Sequence, residues 1–329
     1  MRCGSVAALS VAGYRPAPLG IDPRRHAMDA KTRGTMFRSR MKFVLLAGVL
    51  AALATLPAPA QPAGPVKVDL KLVIATDVSL SINDEEAQLQ REGIAEVFLD
   101  PNVVKAIQSG ALGMIAVAML DWSSPNYDRV VLDWTIVEDE ASAAALAERV
   151  RRIPRTPGSR TSISGALERA TLMLNESDGK IVATRKVIDV SGDGPNNDGI
   201  SLQHIHDTTA DNGIVVNGLP IMDENAEGYV PDLDKYYAAC VVAGKGAFLV
   251  VVKRFKDFGA AMRHKLILEI SQNEVPIKQA TNPPIKGDLL KKIVAAPDAQ
   301  PAPQVLRPGQ NEFSDRCDIA GGFGGFGRF

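Results

Sequence analysis

Short apolar runs rich in branched residues alternate along the chain with stretches of helical period. Residues 68–76, VDLKLVIAT, predict a buried strand. Asn83 or Asp84 can cap the helix that follows, which carries Ala87, Ile94, Val97 and Phe98 along one face. Residues 112–120 and 129–137 predict two more strands, and the short link Ser123-Ser124-Pro125-Asn126 between them predicts a hairpin. Leu146, Val150 and Ile153 mark a helix, as do Ile163, Ala166, Leu167, Ala170 and Leu174 after the loop 154–162. Strands are expected at 186–190, 214–219 and 247–252, with helices near 201–212 and 233–242 between them. Phe255, Phe258, Met262 and Leu266 place a closing helix.

Repeated strand–helix alternation predicts an α/β fold: a doubly wound, mostly parallel sheet with helices on both faces and one antiparallel edge strand from the hairpin. One domain is expected over residues 68–271, with 61–67 as a linker. Beyond residue 272 the pattern fades into a proline-punctuated stretch that ends GGFGGFGRF, so 272–329 reads as a flexible tail.

The other end reads as an address. Arg38, Arg40 and Lys42 precede the apolar run 43–56, and Ala58-Pro59-Ala60 follows it. This is the layout of a secretory signal over 36–60, cut after Ala60. The run falls short of the roughly 20 residues of a membrane span, so no span is expected after cleavage. Residues 1–35 form a polar preface, and Met36 and Met41 both suit a start. A secreted or periplasmic protein is expected.

Composition adds exclusions. The chain is 46% hydrophobic and 23% charged, which suits a globular domain. Its 37 basic and 38 acidic residues leave a formal charge of −1, so no general attraction to nucleic acid is expected. Cys3, Cys240 and Cys317 are too few for a disulfide scaffold or a thiolate zinc site. Outside the cytosol Cys240 and Cys317 are free to pair, which the sequence leaves open.

Open α/β sheets bind ligands at the carboxyl ends of their strands. Three oxygen-rich loops are expected there: Asp77-Val78-Ser79-Leu80-Ser81, Arg160-Thr161-Ser162, and Ser191-Gly192-Asp193-Gly194. Alternation puts Asp77, Ser79 and Ser81 on one side of an extended loop. With Thr161 and Asp193 they offer a hard divalent cation an oxygen shell, suited to Mg²⁺ or Mn²⁺ and open to Ca²⁺. Two carboxylates do not over-neutralise a dication, which can still attract a carboxylate from outside. Any one of these loops alone reads equally as a turn or a cap.

The ordered set Asp77-x-Ser79-x-Ser81, Thr161 and Asp193-Gly194 resembles the metal-ion-dependent adhesion site of von Willebrand factor A-type domains, over about 68–271. LQREGIAEVF, SRTSISGAL, VIDVSGDGPNN and VNGLPI further resemble an uncharacterised family of secreted bacterial A-type proteins. The resemblance implies that Ser79 and Ser81 ligate the cation directly, and that Asp77, Thr161 and Asp193 do so directly or through water. It implies a protein partner, bound through an acidic residue. Two departures stand out. The third loop is one residue longer than the usual Ser-Asp-Gly, and Ile163 and Ser164 replace residues that are often Thr and Gly.

Trp122 and Ser123, at the end of the second strand, are expected as partner contacts or, equally, as core. Asn196, Asn197 and Asp198 offer a second cation site or a plain turn. Enzymatic motifs are missing: no phosphate loop, no nucleophile elbow, no H-E-x-x-H. The expected function is therefore metal-dependent protein binding, not catalysis. A metal-independent structural or solute-binding α/β protein is the alternative. A metal-dependent phosphohydrolase is disfavoured because Ser79 stands where a second carboxylate would serve as acid and base.

Overall fold

Strand β1 (Val66–Asp77) is buried along all but its first two residues, as expected of a central strand covered on both faces. It pairs in parallel with β2 (Ile115–Trp122) on one side and with β4 (Ile181–Gly192) on the other. The computed structural model describes residues 64–175, 179–226 and 228–271, together with 305, 306 and 317. The sheet has seven strands in the order β3-β2-β1-β4-β5-β6-β7, where β3 is Asp128–Val137, β5 is Ile214–Pro220, β6 is Leu249–Val250 and β7 is Val305–Leu306.

Side-chain alternation along β1 divides the core. Leu70, Leu72 and Ile74 face helices α1 (Asp84–Leu99), α2 (Pro101–Gln108), α3 (Glu140–Arg151) and α7 (Phe258–Ser271). Val73 and Ala75 face α4 (Ile163–Asn175), α5 (Leu202–Asp211) and the short α6 (Leu233–Tyr236), which continues as a π-helical turn over Tyr237–Val241. Period-2 strands buried on both sides between period-3.6 helices give the doubly wound α/β fold that the pattern predicts.

Local chemistry sets the boundaries. Asn83 opens α1 with a capping box: its side chain accepts from the Glu86 amide at 3.0 Å, and Glu86 accepts from the Asn83 amide at 2.9 Å. Helix α2 is additional to the predicted elements. Asp100 caps it and Pro101 stands in its first turn, where a missing N–H leaves nothing unsatisfied.

Three features differ from the sequence expectation. The strand expected over 247–252 is only two residues long. A second antiparallel strand, β7, closes the far edge and comes from the region read as tail. Cys240, on the π-helical turn, is bonded to Cys317, so that part of the tail is tied to the domain. The preface at 1–35 and the signal at 36–60 lie outside the described residues. Among the described residues no helix is long and apolar enough to cross a membrane.

Candidate metal centre

The strand register brings the first and third loops together. Thr76 pairs with Asp121 on one side and with Ser191 on the other, so the carboxyl ends of β1, β2 and β4 lie level. Asp77 is the last residue of β1 and is fully buried. Its Oδ1 accepts the Ser79 amide at 2.8 Å, an Asx turn that bends the loop back over the strand end. Ser79 Oγ and Ser81 Oγ lie 3.0 Å apart, and Ser81 Oγ donates to Asp193 Oδ1 at 2.9 Å. The structure thus joins Asp77, Ser79, Ser81 and Asp193 across two strand ends, as the spacing predicts.

The extra residue of the third loop has a physical reason. Gly192 ends β4 beside Asp77. A Cβ there would stand 2.9 Å from Tyr237 Oη and 3.0 Å from Asp77 Oδ2, so no larger residue fits. Glycine lets the strand run one residue further and still turns the Asp193 carboxylate toward Ser81.

Thr161 reaches the site from the start of α4. Its amide donates to Asn197 Oδ1 at 2.9 Å, and its carbonyl accepts the Asn197 amide at 2.8 Å. Its hydroxyl lies beside the third loop, 3.9 Å from where a Cβ on Gly194 would be. Thr161 makes no hydrogen bond to the other four residues among the described contacts. Asn196 Oδ1 accepts the Ser164 amide at 3.0 Å, and the Asn196 amide donates to Tyr236 Oη at 3.1 Å. Asn196 and Asn197 are thereby occupied as a clasp on the Thr161 loop, a role that an Asn-rich turn does not reveal in sequence.

Burial dominates the electrostatics. It pushes the Asp77 carboxyl well above the usual carboxylate range, and the neighbouring Asp193 raises it further. Burial also lifts Asp193, to about 6, against the opposing hydrogen bond from Ser81. No Lys or Arg is among the groups that act on either carboxyl. The contrast is Asp121 nearby, where Arg91 Nη2 contacts both carboxylate oxygens at 2.5 Å. Asp77 Oδ2, although buried, has no hydrogen-bond partner among the described residues. Two buried carboxylates without a counter-charge, one oxygen left unpaired and hydroxyls alongside suit a hard dication. Among the described residues no three of His, Cys, Asp and Glu converge as a metal cluster. The donors here are instead two carboxylates and three hydroxyls.

Trp122 and Ser123 do not offer a partner surface. Trp122 is 1% and Ser123 0% exposed. Trp122 packs in the core on the α4 side, and its carbonyl accepts the Val78 amide at 3.0 Å. The Ser123 carbonyl accepts the Ser162 amide at 2.6 Å, and its hydroxyl bonds the Arg160 carbonyl. Both hold the first and second loops in place, because the hairpin folds back under them rather than away. Asp189, buried in β4, pairs with Lys265 of α7. Sequence reasoning missed Tyr237, whose buried hydroxyl stands beside Gly192 and has no partner among the described residues.

Several solved structures are similar to part of the chain at low identity. Proximal thread matrix protein 1 from the mussel byssus, with zinc in its metal-ion-dependent adhesion site motif, is 15% identical over 63% of this chain and 47% of that one, with a TM-score of 0.44. A von Willebrand factor type A protein from Catenulispora acidiphila is 16% identical over 62% of this chain and 43% of its own, with a TM-score of 0.44. The open conformation of the pilus adhesin SpaC from Lactobacillus rhamnosus GG is 16% identical over 65% and 31%, with a TM-score of 0.43. The chain spans less than half the length of each of these three. No curated protein matches the chain. Residues 67–274 match the family described as Protein of unknown function (DUF1194), and the chain belongs to that family.

Proposed function

We propose that the protein is an extracytoplasmic, metal-dependent protein-binding module. A Mg²⁺ or Mn²⁺ ion would be held by Ser79, Ser81, Asp77, Thr161 and Asp193, leaving one position for an acidic side chain of a protein partner. The observation that carries this reading is the joined oxygen set Asp77–Ser79–Ser81–Asp193, in which neither carboxylate pairs with a Lys or Arg among the described residues and Asp77 Oδ2 stays unpaired. A dication held there would supply the positive charge that the two carboxylates lack and a coordination position for an acidic group. The Cys240–Cys317 disulfide supports an oxidising compartment. Ser79, engaged with Ser81, occupies the position where a phosphohydrolase of this layout needs its second carboxylate, which favours binding over hydrolysis.

Calorimetric titration with Mg²⁺ and Mn²⁺ tests the cation, using wild type and Asp77→Ala. Saturable heat from wild type alone is expected, and equal heats from both proteins overturn the reading. Crosslinking pull-down with and without EDTA then tests the partner, whose capture is expected only without chelator.

A further inference from the structure

Two buried polar atoms near the strand ends lack hydrogen-bond partners among the described residues, and both border Gly192. One is Asp77 Oδ2; the other is the hydroxyl of Tyr237. Both lie about 3 Å from the point where a Cβ on Gly192 would stand, at 3.0 and 2.9 Å. A phenol is a donor with no better acceptor in reach, and a carboxylate oxygen is the strongest acceptor available. Leaving both unmade costs the fold the desolvation of each group. Such a cost persists where a function uses it, and widened π-helical turns of the kind that carries Tyr237 often mark functional sites.

The turn is also well anchored. Tyr236, next in sequence, accepts the Asn196 amide at 3.1 Å and so steadies the Thr161 loop through Asn196 and Asn197. Cys240, one turn on, is fastened to Cys317. Tyr237 is fully buried between β5 and β4, where Gly218 and Gly192 both make room for it: a Cβ at Gly218 would meet its ring at 2.9 Å. Two glycines on adjacent strands thus make room for the Tyr237 side chain.

We propose that Tyr237 is a positioning residue of the cation site: its hydroxyl holds Asp77 Oδ2 when a dication is bound, so that the carboxylate is gripped on both oxygens, by the Ser79 amide and by the phenol. This rests on the cation reading above and extends it to a residue that would not touch the ion. Outer partners of this kind orient a metal-bound carboxylate, and their loss typically lowers metal affinity about 10- to 100-fold.

The test is Mn²⁺ titration of full-length wild type, Tyr237→Phe and Tyr237→Leu, with thermal unfolding of each protein free of metal. Tyr237→Phe keeps the ring and removes only the oxygen. It is expected to weaken Mn²⁺ binding about tenfold or more, while its metal-free melting temperature stays level or rises, because an orphaned hydroxyl has gone. Tyr237→Leu should weaken Mn²⁺ binding at least as much, and unlike Phe should also lower the metal-free melting temperature. Near-ultraviolet difference spectra should show a tyrosine perturbation on Mn²⁺ addition in wild type that Tyr237→Phe lacks. If wild type binds Mn²⁺ and Tyr237→Phe binds it equally well, the cation reading stands and the role of Tyr237 falls. If wild type gives no saturable binding, both fall.

Discussion

Ser81 Oγ donates to Asp193 Oδ1 at 2.9 Å, joining two loops that stand 112 residues apart in the chain. The bond forms because β1 and β4 are sheet neighbours in a register that levels their carboxyl ends. It ties the first loop to the third, and it sets one hydroxyl beside one carboxylate.

The like-charged pair predicts a trade between stability and cation binding. Asp77→Asn removes a buried acid that only Asp193 and burial act to perturb upward. The metal-free variant is expected to melt higher than wild type. Wild type at an Mn²⁺ concentration a hundredfold over its Kd should gain about 2.7 kcal/mol. The variant should gain nothing measurable, and thermal scans with and without Mn²⁺ read both effects.

Gly192 is expected to resist even the smallest side chain. Gly192→Ala puts a methyl group 2.9 Å from Tyr237 Oη and 3.0 Å from Asp77 Oδ2. Overpacking of this kind costs about 1–3 kcal/mol. Denaturant unfolding should show that loss, with weaker Mn²⁺ binding beside it. A variant as stable as wild type would mean that the strand ends are looser than they stand here.

Arg91 and Asp121 form a buried ion pair between α1 and the end of β2. Arg91→Ala leaves Asp121 buried without its counter-charge and is expected to cost about 3–5 kcal/mol. Replacing both residues by apolar side chains of similar size should cost much less. Comparing the double variant with the two single ones by urea denaturation separates the pairing from the packing.

Glu269 of α7 sets a pH dependence away from the cation site. Its pKa is raised from 4.5 to about 8, by burial first and then by Asp189 of β4, against the opposing effects of Lys265 of α7, Arg185 of β4 and Asn217 of β5. Between those two values the folded state keeps a proton that the unfolded chain has lost. Stability therefore falls as pH rises from 4.5 to about 8 and levels off above it. One proton corresponds to at most about 1.4 kcal/mol per pH unit. Glu269→Gln keeps an oxygen for Asn217 Nδ2, which donates to Glu269 Oε1 at 2.7 Å, and should flatten that slope. Unfolding free energies measured across the window check it.

The Cys240–Cys317 bond closes a long loop, with a sequence separation of 77. Cys240→Ala with Cys317→Ala is expected to cost about 2–4 kcal/mol, largely through a less constrained unfolded chain. The same loss should follow from reductant acting on wild type. Equilibrium unfolding under both conditions provides the comparison.

The alternation of apolar runs and helical faces was enough to determine the α/β class, the order of most elements and the antiparallel hairpin, because period and turn chemistry are local properties. The placement of Asp77, Ser79, Ser81, Thr161 and Asp193 at strand ends and a helix start was legible for the same reason, since the local pattern marks those ends. Helix α2 and the two-residue strand β7 were not legible, since a short element has too few residues to show a period; β6 was legible only as a longer strand, and the disulfide was left open. Only the tertiary structure decided what surrounds the oxygen set. Trp122 turns out to be core rather than surface, Asn196 and Asn197 a clasp, and Tyr237 the neighbour of Asp77 across Gly192. Those outcomes depend on which strands lie side by side, in what register, and on what the helices then cover. Contacts across more than a hundred residues of chain leave no trace in local spacing. That neither Asp77 nor Asp193 pairs with a Lys or Arg among the described residues is likewise a property of the folded neighbourhood, invisible in a chain whose charges sum almost to zero.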